Sequence, residues 1–344
     1  MASLWIDVIS PSEALFFNSL TRDLDGYDVT LTAAESAETT SLLELKGAKY
    51  RKFGSHPTTR GITRQFGVMS RSLECILGAP RFDVSLSFDN FYAILTSVAR
   101  RRPTISIDDN DKTEKMNLQF SLRNSSFIIL PEAFPKSKLT KLGMREDQLL
   151  EFPGYKEDIY LADFAPDPLF PGKVPFQHYV VLRPEALFAS YVDENRSIVP
   201  DLAASLVKSG FKVVFLPRDE HEKALLKPSE DVFVPEKALS GLDLCWHADA
   251  VLTGSGTLAR EAALLGVTAV SFFPGTMLAV DQDLVSRNKM YHSRDPASIV
   301  RHIMNQKQRR QSLSSVKEKS ASIRSCLLSR LNWAIESCLD GGRS

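Results

Sequence analysis

The stretch Ala250-Val-Leu-Thr-Gly-Ser-Gly-Thr-Leu-Ala-Arg-Glu-Ala-Ala-Leu-Leu-Gly266 joins an apolar run to a helical pattern through Thr253-Gly254-Ser255-Gly256-Thr257. Ala250–Leu252 reads as a buried strand and Thr257–Leu265 as a helix. Glycines at such a corner let the backbone approach a ligand closely. The helix start offers unpaired N–H groups and a positive dipole end, which suits a phosphate. Ser255 and Thr257 add hydroxyls, and Glu261, one turn in, is placed to accept from a ribose diol. A tight strand-to-helix turn with a small N-cap needs the same residues where nothing binds, so spacing alone leaves both readings open. Gly254-x-Gly256-x-x-Ala259 also meets the loose dinucleotide pattern. It lies late in its half of the chain, and no acidic residue is clearly placed about 20 positions on, which disfavours a nicotinamide enzyme.

Outward from this corner, strands and helices alternate. In the second half the strands are His178–Leu182, Lys212–Leu216, Val232–Val234 and Ala269–Phe273. The helices are Ile198–Lys208, Leu239–His247, one near Val280–Arg287, and Pro296–Asn305. Asp295 followed by Pro296 is an N-cap and first-turn proline. In the first half the expected strands are Leu4–Ile9, Asp28–Ala33, Lys49–Phe53, Asp83–Phe88, Thr104–Ile107 and Phe127–Leu130. Helical patterns fill Ser12–Leu24, Ser36–Lys46, Ile62–Leu77 and Asn90–Arg100. Strands separated by helices of this length predict βαβ units and parallel sheet. Between the halves, Phe152–Gln177 carries Pro153, Pro166, Pro168, Pro171 and Pro175, and reads as an extended connector. The expectation is two α/β domains, 1–165 and 166–344, with C-terminal helices packing back on the first.

Composition fits a soluble globular enzyme. The 344 residues hold 42 basic and 42 acidic side chains, and the zero formal charge argues against a nucleic-acid partner. The cysteines, Cys75, Cys245, Cys326 and Cys338, have no metal-ligand spacing and suit a reducing cytoplasm. No signal peptide is expected at MASLWIDVIS. The uncharged run Ala262–Val280 is interrupted by Gly266, Pro274 and Gly275, so it reads as helix end, strand and loop, with no transmembrane segment. Arg301–Arg330 has eight Arg/Lys against Glu318 alone. Its apolar positions Leu313, Val316, Ile323, Leu327, Leu331 and Ile335 favour a docked amphipathic helix over an anion-binding face.

Other side chains sit where α/β sheets bind ligands, beyond the C-terminal ends of strands. Asp89 follows Asp83–Phe88, and Asp108 and Asp109 follow Thr104–Ile107. Glu114 and Lys115 open a helical stretch just after. Crowded carboxylates can have split pKa values and act as acid and base. Equally, Asp109-Asn110-Asp111 reads as a solvated turn. Arg183, in Leu182-Arg183-Pro184-Glu185, can clamp a diphosphate or serve a linker salt bridge. The loop Gly54–Gly61, with His56, is a further donor-rich candidate. His221, His247 and His292 are scattered without zinc spacing, and Ser255 lacks the G-x-S-x-G elbow of a hydrolase.

The whole pattern resembles the GT-B superfamily of nucleotide-sugar glycosyltransferases and UDP-N-acetylglucosamine 2-epimerases. It is most similar to an archaeal and bacterial family of that superfamily described as a domain of unknown function. The resemblance covers roughly the whole chain. It is carried by Trp5-Ile-Asp…Leu15-Phe-Phe, Arg183-Pro-Glu…Ala189-Ser-Tyr191, Gly254-Ser-Gly-Thr…Arg-Glu-Ala-Ala-Leu-Leu-Gly266, Pro274-Gly…Leu278-Ala-Val-Asp281 and Tyr291-His-Ser…Asp295-Pro296. It implies two Rossmann-like domains with parallel sheets facing a central cleft. In the epimerases a Ser-Gly-Gly…Glu-Glu-Ala block grips UDP; Ser255, Gly256, Thr257 and Glu261 match it. Their cleft carboxylates fall by position on Asp89, Asp108 and Glu114. Their Gly-His-Arg-Arg-Glu block appears as Leu182-Arg183-Pro184-Glu185, and their Gly-Thr-Arg-Pro-Glu as Ile9-Ser10-Pro11-Ser12-Glu13. Both departures point away from 2-epimerase activity.

The resemblance therefore implies a UDP-sugar-like donor bound by Arg183, Glu185, Gly254, Ser255, Gly256, Thr257 and Glu261. Asp89 or Asp108, with Glu114, would act on an acceptor hydroxyl in a metal-independent glycosyl transfer that needs no cofactor. Sugar-nucleotide epimerisation and non-catalytic binding are the alternatives, and a homodimer is compatible with each.

Overall fold

The computed structural model describes the chain except residues 36, 46, 56–61, 89, 113–115, 186–195, 307–310 and 342–344. Its residues group into two compact units, Met1–Ala162 with Lys319–Ser344, and Asp163–Glu318.

The first unit holds a seven-stranded sheet. Its strands are β1 (Ser3–Val8), β2 (Asp28–Glu35), β3 (Arg51–Ser55), β4 (Val84–Phe88), β5 (Thr104–Ile107), β6 (Phe127–Pro131) and β7 (Leu149–Phe152). They lie in the order β3-β2-β1-β4-β5-β6-β7, and every pairing is parallel. The helices are α1 (Pro11–Leu20), α2 (Ala37–Leu45), α3 (Ile62–Gly78), α4 (Phe91–Ala99), α5 (Met116–Arg123), α6 (Ser137–Thr140) and α7 (Lys156–Leu161). β1 lies inside the sheet between β2 and β4, and Leu4, Trp5, Ile6, Asp7 and Val8 are all buried. Both faces of a central parallel strand are covered, so apolar residues run without alternation.

The second unit repeats the plan with six strands. They are β8 (Val180–Arg183), β9 (Val213–Phe215), β10 (Val232–Phe233), β11 (Ala250–Thr253), β12 (Thr268–Ser271) and β13 (Tyr291–His292). Their order is β10-β9-β8-β11-β12-β13, again all parallel. The helices are α8 (Val199–Lys208), α9 (Glu220–Lys223), α10 (Gly241–His247), α11 (Gly256–Leu264), α12 (Ala279–Ser286) and α13 (Pro296–Asn305). One cluster containing Val180, Leu182, Leu202, Leu206, Phe215, Leu252 and Ile299 fills the core. Each such side chain, fully buried, contributes about 1.5–3 kcal/mol.

The last helix, α14 (Leu313–Gly341), buries Ile323, Leu327, Leu331, Ala334 and Ile335. Two of its basic residues form ion pairs within the first unit, Arg324 with Asp23 at 3.2 Å and Lys319 with Asp158 at 3.6 Å. The run Ala262–Val280 resolves into the end of α11, β12 and the start of α12. Among the described residues no helix is long and apolar enough to cross a membrane.

Two expectations need correction. The segment from Phe152 is not merely an extended connector. The prolines leave residues 154–165 free, and α7 forms there with Ile159 and Leu161 fully buried. Gly154 at φ 86° makes the turn, and the Asp158 carboxylate accepts from Tyr155 N at 2.9 Å to cap the helix. The stretch expected as helix to Leu24 stops earlier, with α1 ending at Leu20 in a 3-10 turn, Thr21–Asp23.

Candidate functional site

In the second unit, the C-terminal ends of β8 and β11 lie side by side, with Leu252 opposite Leu182 and Thr253 opposite Arg183. This brings the predicted corner against the predicted arginine loop. Gly254 N donates to Arg183 O at 3.1 Å. A Cβ on Gly254 would lie 2.6 Å from Glu185 Cα and 2.8 Å from its N. Only glycine permits this backbone contact. Ser255 is the N-cap of α11, but its hydroxyl makes no capping bond; instead its backbone N donates to Thr253 Oγ1 at 2.8 Å. Ser255, Gly256 and Thr257 are half-buried and present the first turn of α11.

Beneath this turn is a buried ion pair, Arg260 with Asp281 at 2.8 Å. A Cβ on Gly256 would come within 2.9 Å of Arg260 Nη1, so that glycine also makes room for the guanidinium. Glu261 is buried. Burial pushes the Cys245 thiol well up, Glu261 pushes it further, and Arg183 pulls it back. Glu261 and Arg183 therefore share one neighbourhood around Cys245. Glu185, 1% exposed, accepts from Ser197 Oγ at 2.6 Å and from Ile198 N at 3.1 Å. Its Oε1 also receives Arg294 Nη1 at 3.1 Å. These contacts make Glu185 a brace for the start of α8. Arg294 donates as well to Phe272 O at 2.9 Å. His292, at the end of β13, is pushed below the usual imidazole pKa by burial.

In the first unit, carboxylates gather at the C-terminal ends of β1 and β5. Asp108 is 2% exposed; its Oδ1 accepts from Asn110 N at 2.8 Å, closing an Asx turn. Asp109 and Asp111 are buried as well, so Asp109–Asp111 is no solvated turn. Lys156 Nζ lies 3.2 Å from Asp109 Oδ2 and 5.0 Å from the centre of the Phe88 ring. Lys138 Nζ reaches Asp111 Oδ2 at 2.6 Å. On β1, Asp7 is fully buried. Its Oδ2 receives Arg71 Nη2 at 2.7 Å and Asn90 Nδ2 at 3.0 Å, and its Oδ1 receives Thr32 Oγ1 at 2.7 Å. Burial raises its pKa although Arg71 opposes the shift. A cation or an N–H donor thus holds each of Asp7, Asp108, Asp109 and Asp111.

Of the predicted set, Arg183, Glu185, Gly254, Ser255, Gly256, Thr257 and Glu261 come together in the second unit, and Asp108 sits among carboxylates in the first. Asp89, Glu114 and residues 56–61 lie outside the described residues. Lys156, Asp7, Arg71, Arg260 and Arg294 are additions. Asp7 had a visible signal, a charge inside an otherwise apolar strand.

The profile of a family described as protein of unknown function (DUF354) matches residues 2–327. The chain belongs to that family. An uncharacterized protein of Methanocaldococcus jannaschii is 25% identical over 312 residues, 87% of this chain and 90% of that one. Among solved structures, the UDP-GlcNAc 2-epimerase of the same organism, in complex with UDP-GlcNAc and UDP, superposes with a TM-score of 0.74 at 16% identity. The match covers 96% of this chain and 99% of that one. The Neisseria meningitidis UDP-GlcNAc 2-epimerase, bound to UDP-GlcNAc, gives 0.70 at 14% identity, over 96% and 100% of the two chains. This DUF354 chain thus shares the GT-B-like α/β fold of these proteins over 96% of its length.

Proposed function

We propose that this protein binds a UDP-sugar-like nucleotide and transfers its sugar to an acceptor hydroxyl in the cytoplasm. The observation that carries this reading is the glycine corner Gly254–Thr257 lying against the Arg183 loop. It occurs in a chain whose fold matches, over 96% of its length, proteins solved with UDP-GlcNAc. The diphosphate would rest on the first turn of α11, where the N–H groups, the Ser255 and Thr257 hydroxyls and Arg183 all favour negative charge. Departure of the nucleoside diphosphate builds charge on its oxygens, and these groups supply the stabilisation without a metal or other cofactor. Glu261 accepts from the ribose. Glu185 acts indirectly, because it lies just beyond Arg183 at the end of β8 and braces the start of α8. In the first unit, Asp108 or Asp89 removes the acceptor proton, with Glu114 as a further carboxylate.

Epimerisation at the sugar is the second reading, favoured by the whole-length likeness to UDP-GlcNAc 2-epimerases. Against it, Ser10-Pro11-Ser12 and Glu13 form a self-capped start to α1. Glu13 Oε2 accepts from Ile9 N at 2.9 Å, and Glu13 Oε1 accepts from Ser10 Oγ at 2.8 Å. One experiment separates the two. The best stabilising donor from a thermal-shift series of UDP-, GDP-, CMP- and dTDP-sugars is incubated alone in deuterated water and followed by NMR. Slow release of the nucleoside diphosphate without change in the sugar is the expected result. A second sugar epimer with deuterium at the inverted carbon would establish epimerisation instead. No stabilisation by any sugar nucleotide would overturn both readings.

A further inference from the structure

The second unit holds a cavity of about 380 Å³ where β12 and β13 begin, at Thr268 and Tyr291. The corner Gly254–Thr257 follows the opposite, C-terminal end of a parallel neighbour, β11, so the cavity is a separate place. Small residues make the room: Ala263, Gly266 and Ala269 line it. Ala263, Val267, Ala269 and Met290 give it a buried apolar floor. The chain leaves α11 through Gly266 at φ 73° and α12 through Asn288 at φ 55°. A Cβ on Gly266 would come within 3.1 Å of Gln311 N, which fixes Gln311 beside the cavity. The volume is more than ten times the ~30 Å³ share of one water and falls within the range of about 300–1,000 Å³ for small-molecule pockets. A simple inorganic ion would leave most of it to solvent.

The polar lining narrows the ligand. Thr268 and the amides of Asn288, Gln306 and Gln311 each donate and accept, as neighbouring sugar hydroxyls require of their partners. Gln306 Nε2 lies 3.4 Å from His302 Nε2, and the His302 ring stacks on Tyr291 at 4.0 Å and 9°. Each ring already covers one face of the other, so the pair is a wall and leaves no slot between the rings for a planar base. Burial holds His302 below the ordinary imidazole pKa, so it adds no positive charge at pH 7. Lys289 is then the one charged side chain among the described residues of the lining, which includes no Asp or Glu. That set favours an anion over an amine. The C-terminal ends of α11, α12 and α13 also meet here, and their negative dipole ends limit how much anionic charge is tolerated. A carboxylate brings one charge, whereas a phosphate ester brings about −1.5 to −2. We propose that this cavity binds a monosaccharide bearing one carboxylate. The carboxylate meets Lys289, the hydroxyls meet Thr268 and the three amides, and the C–H face rests on the apolar floor.

The test is calorimetric titration of the full chain at pH 7 with glucuronate and with galacturonate. At least one should bind with a Kd of about 1 mM or lower. Glucose and acetate, which each carry half of the chemistry, and glucose 6-phosphate, which carries more charge, should bind at least ten-fold more weakly. Binding of neither acid, or equal binding of any of the three comparators, overturns the proposal. Lys289→Glu should weaken the acid sugar at least ten-fold while circular dichroism shows the same helix content. Should that variant fail to fold, Gln306→Glu, at an exposed position after α13, sets a like charge beside the carboxylate and should weaken binding to a similar degree. Unchanged affinity in a folded variant would place the sugar elsewhere and overturn the assignment. The His302 ring signal in NMR, assigned by its loss in His302→Phe, should shift on adding the acid sugar. An unmoved signal, or displacement of the acid sugar by UDP, would put the ligand outside this cavity and overturn the proposal equally.

Discussion

On the proposed reading, Asp108 acts on the acceptor and Arg183 holds the nucleotide. Asp108 is buried at a strand end, with Asn110 N on one oxygen, a position from which a carboxylate can take a proton. Asp108→Asn keeps the shape and removes the base, so turnover should fall 10²–10⁴-fold, the usual worth of general-base catalysis, with nucleotide affinity little changed. Arg183→Ala should do the reverse, weakening nucleotide binding by roughly 1.5–3 kcal/mol through loss of a charge-assisted bond. Calorimetry with UDP and a turnover assay read the two effects apart; equal loss of affinity in both variants would end the division. Gly254 is a different case. Ala at 254 meets the Glu185 backbone at 2.6 Å, where no side-chain rotation gives relief, so it should cost about 1–3 kcal/mol in denaturant unfolding. Asp108 was legible because it follows an apolar run at once. Lys156 was not, because nothing in the sequence says that a lysine beyond β7 reaches back to Asp109. Glu185 was legible as a loop residue, yet its bonds to Ser197, Ile198 and Arg294 depend on segments distant in sequence.

Elements with strong periodicity were legible almost to the residue. β5 and α13 have the bounds their sequence patterns predict, Thr104–Ile107 and Pro296–Asn305. β7 and β13 were not, since they are short edge strands whose existence depends on β6 and β12 being there to pair with. β13 is held from its side as well, because Tyr291 stacks on His302 of α13 with ring centroids 4.0 Å apart. Burial lowers the pKa of both His302 and His292 below the ordinary value of 6.5. The unfolded chain therefore binds these protons first as pH falls. Stability should be lost from about pH 6.5 downward until the folded imidazoles also titrate. His302→Phe keeps the stack and removes one proton, so its melting temperature should fall less between pH 7 and 5.5; an unchanged slope would sink this account. α14 is fastened through Leu327, which is 0% exposed. Leu327→Ala should cost about 2–5 kcal/mol, read from the denaturant midpoint.

Each unit has a parallel sheet and a core of its own, and each presents one set of candidate groups at the C-terminal ends of its strands. A ligand that touches one unit need not stabilise the other. UDP alone, resting on α11, should slow amide exchange at Gly254–Leu264 and near Arg183, and leave Asp108–Asp111 unchanged. The linkage is quantitative: ligand at 100 times its dissociation constant adds about 2.7 kcal/mol to the state that binds it. Amides that exchange only when the second unit opens globally should therefore slow by about 100-fold, while those of the first unit keep their rates. Asp108 is proposed to act on the acceptor hydroxyl, which the sugar nucleotide does not carry. Asp108→Asn should therefore leave the protection that the complete sugar nucleotide gives at Gly254–Leu264 unchanged while losing turnover. Protection by UDP at Asp108–Asp111 without any at Gly254–Leu264 would reverse the assignment and make the first unit the nucleotide site.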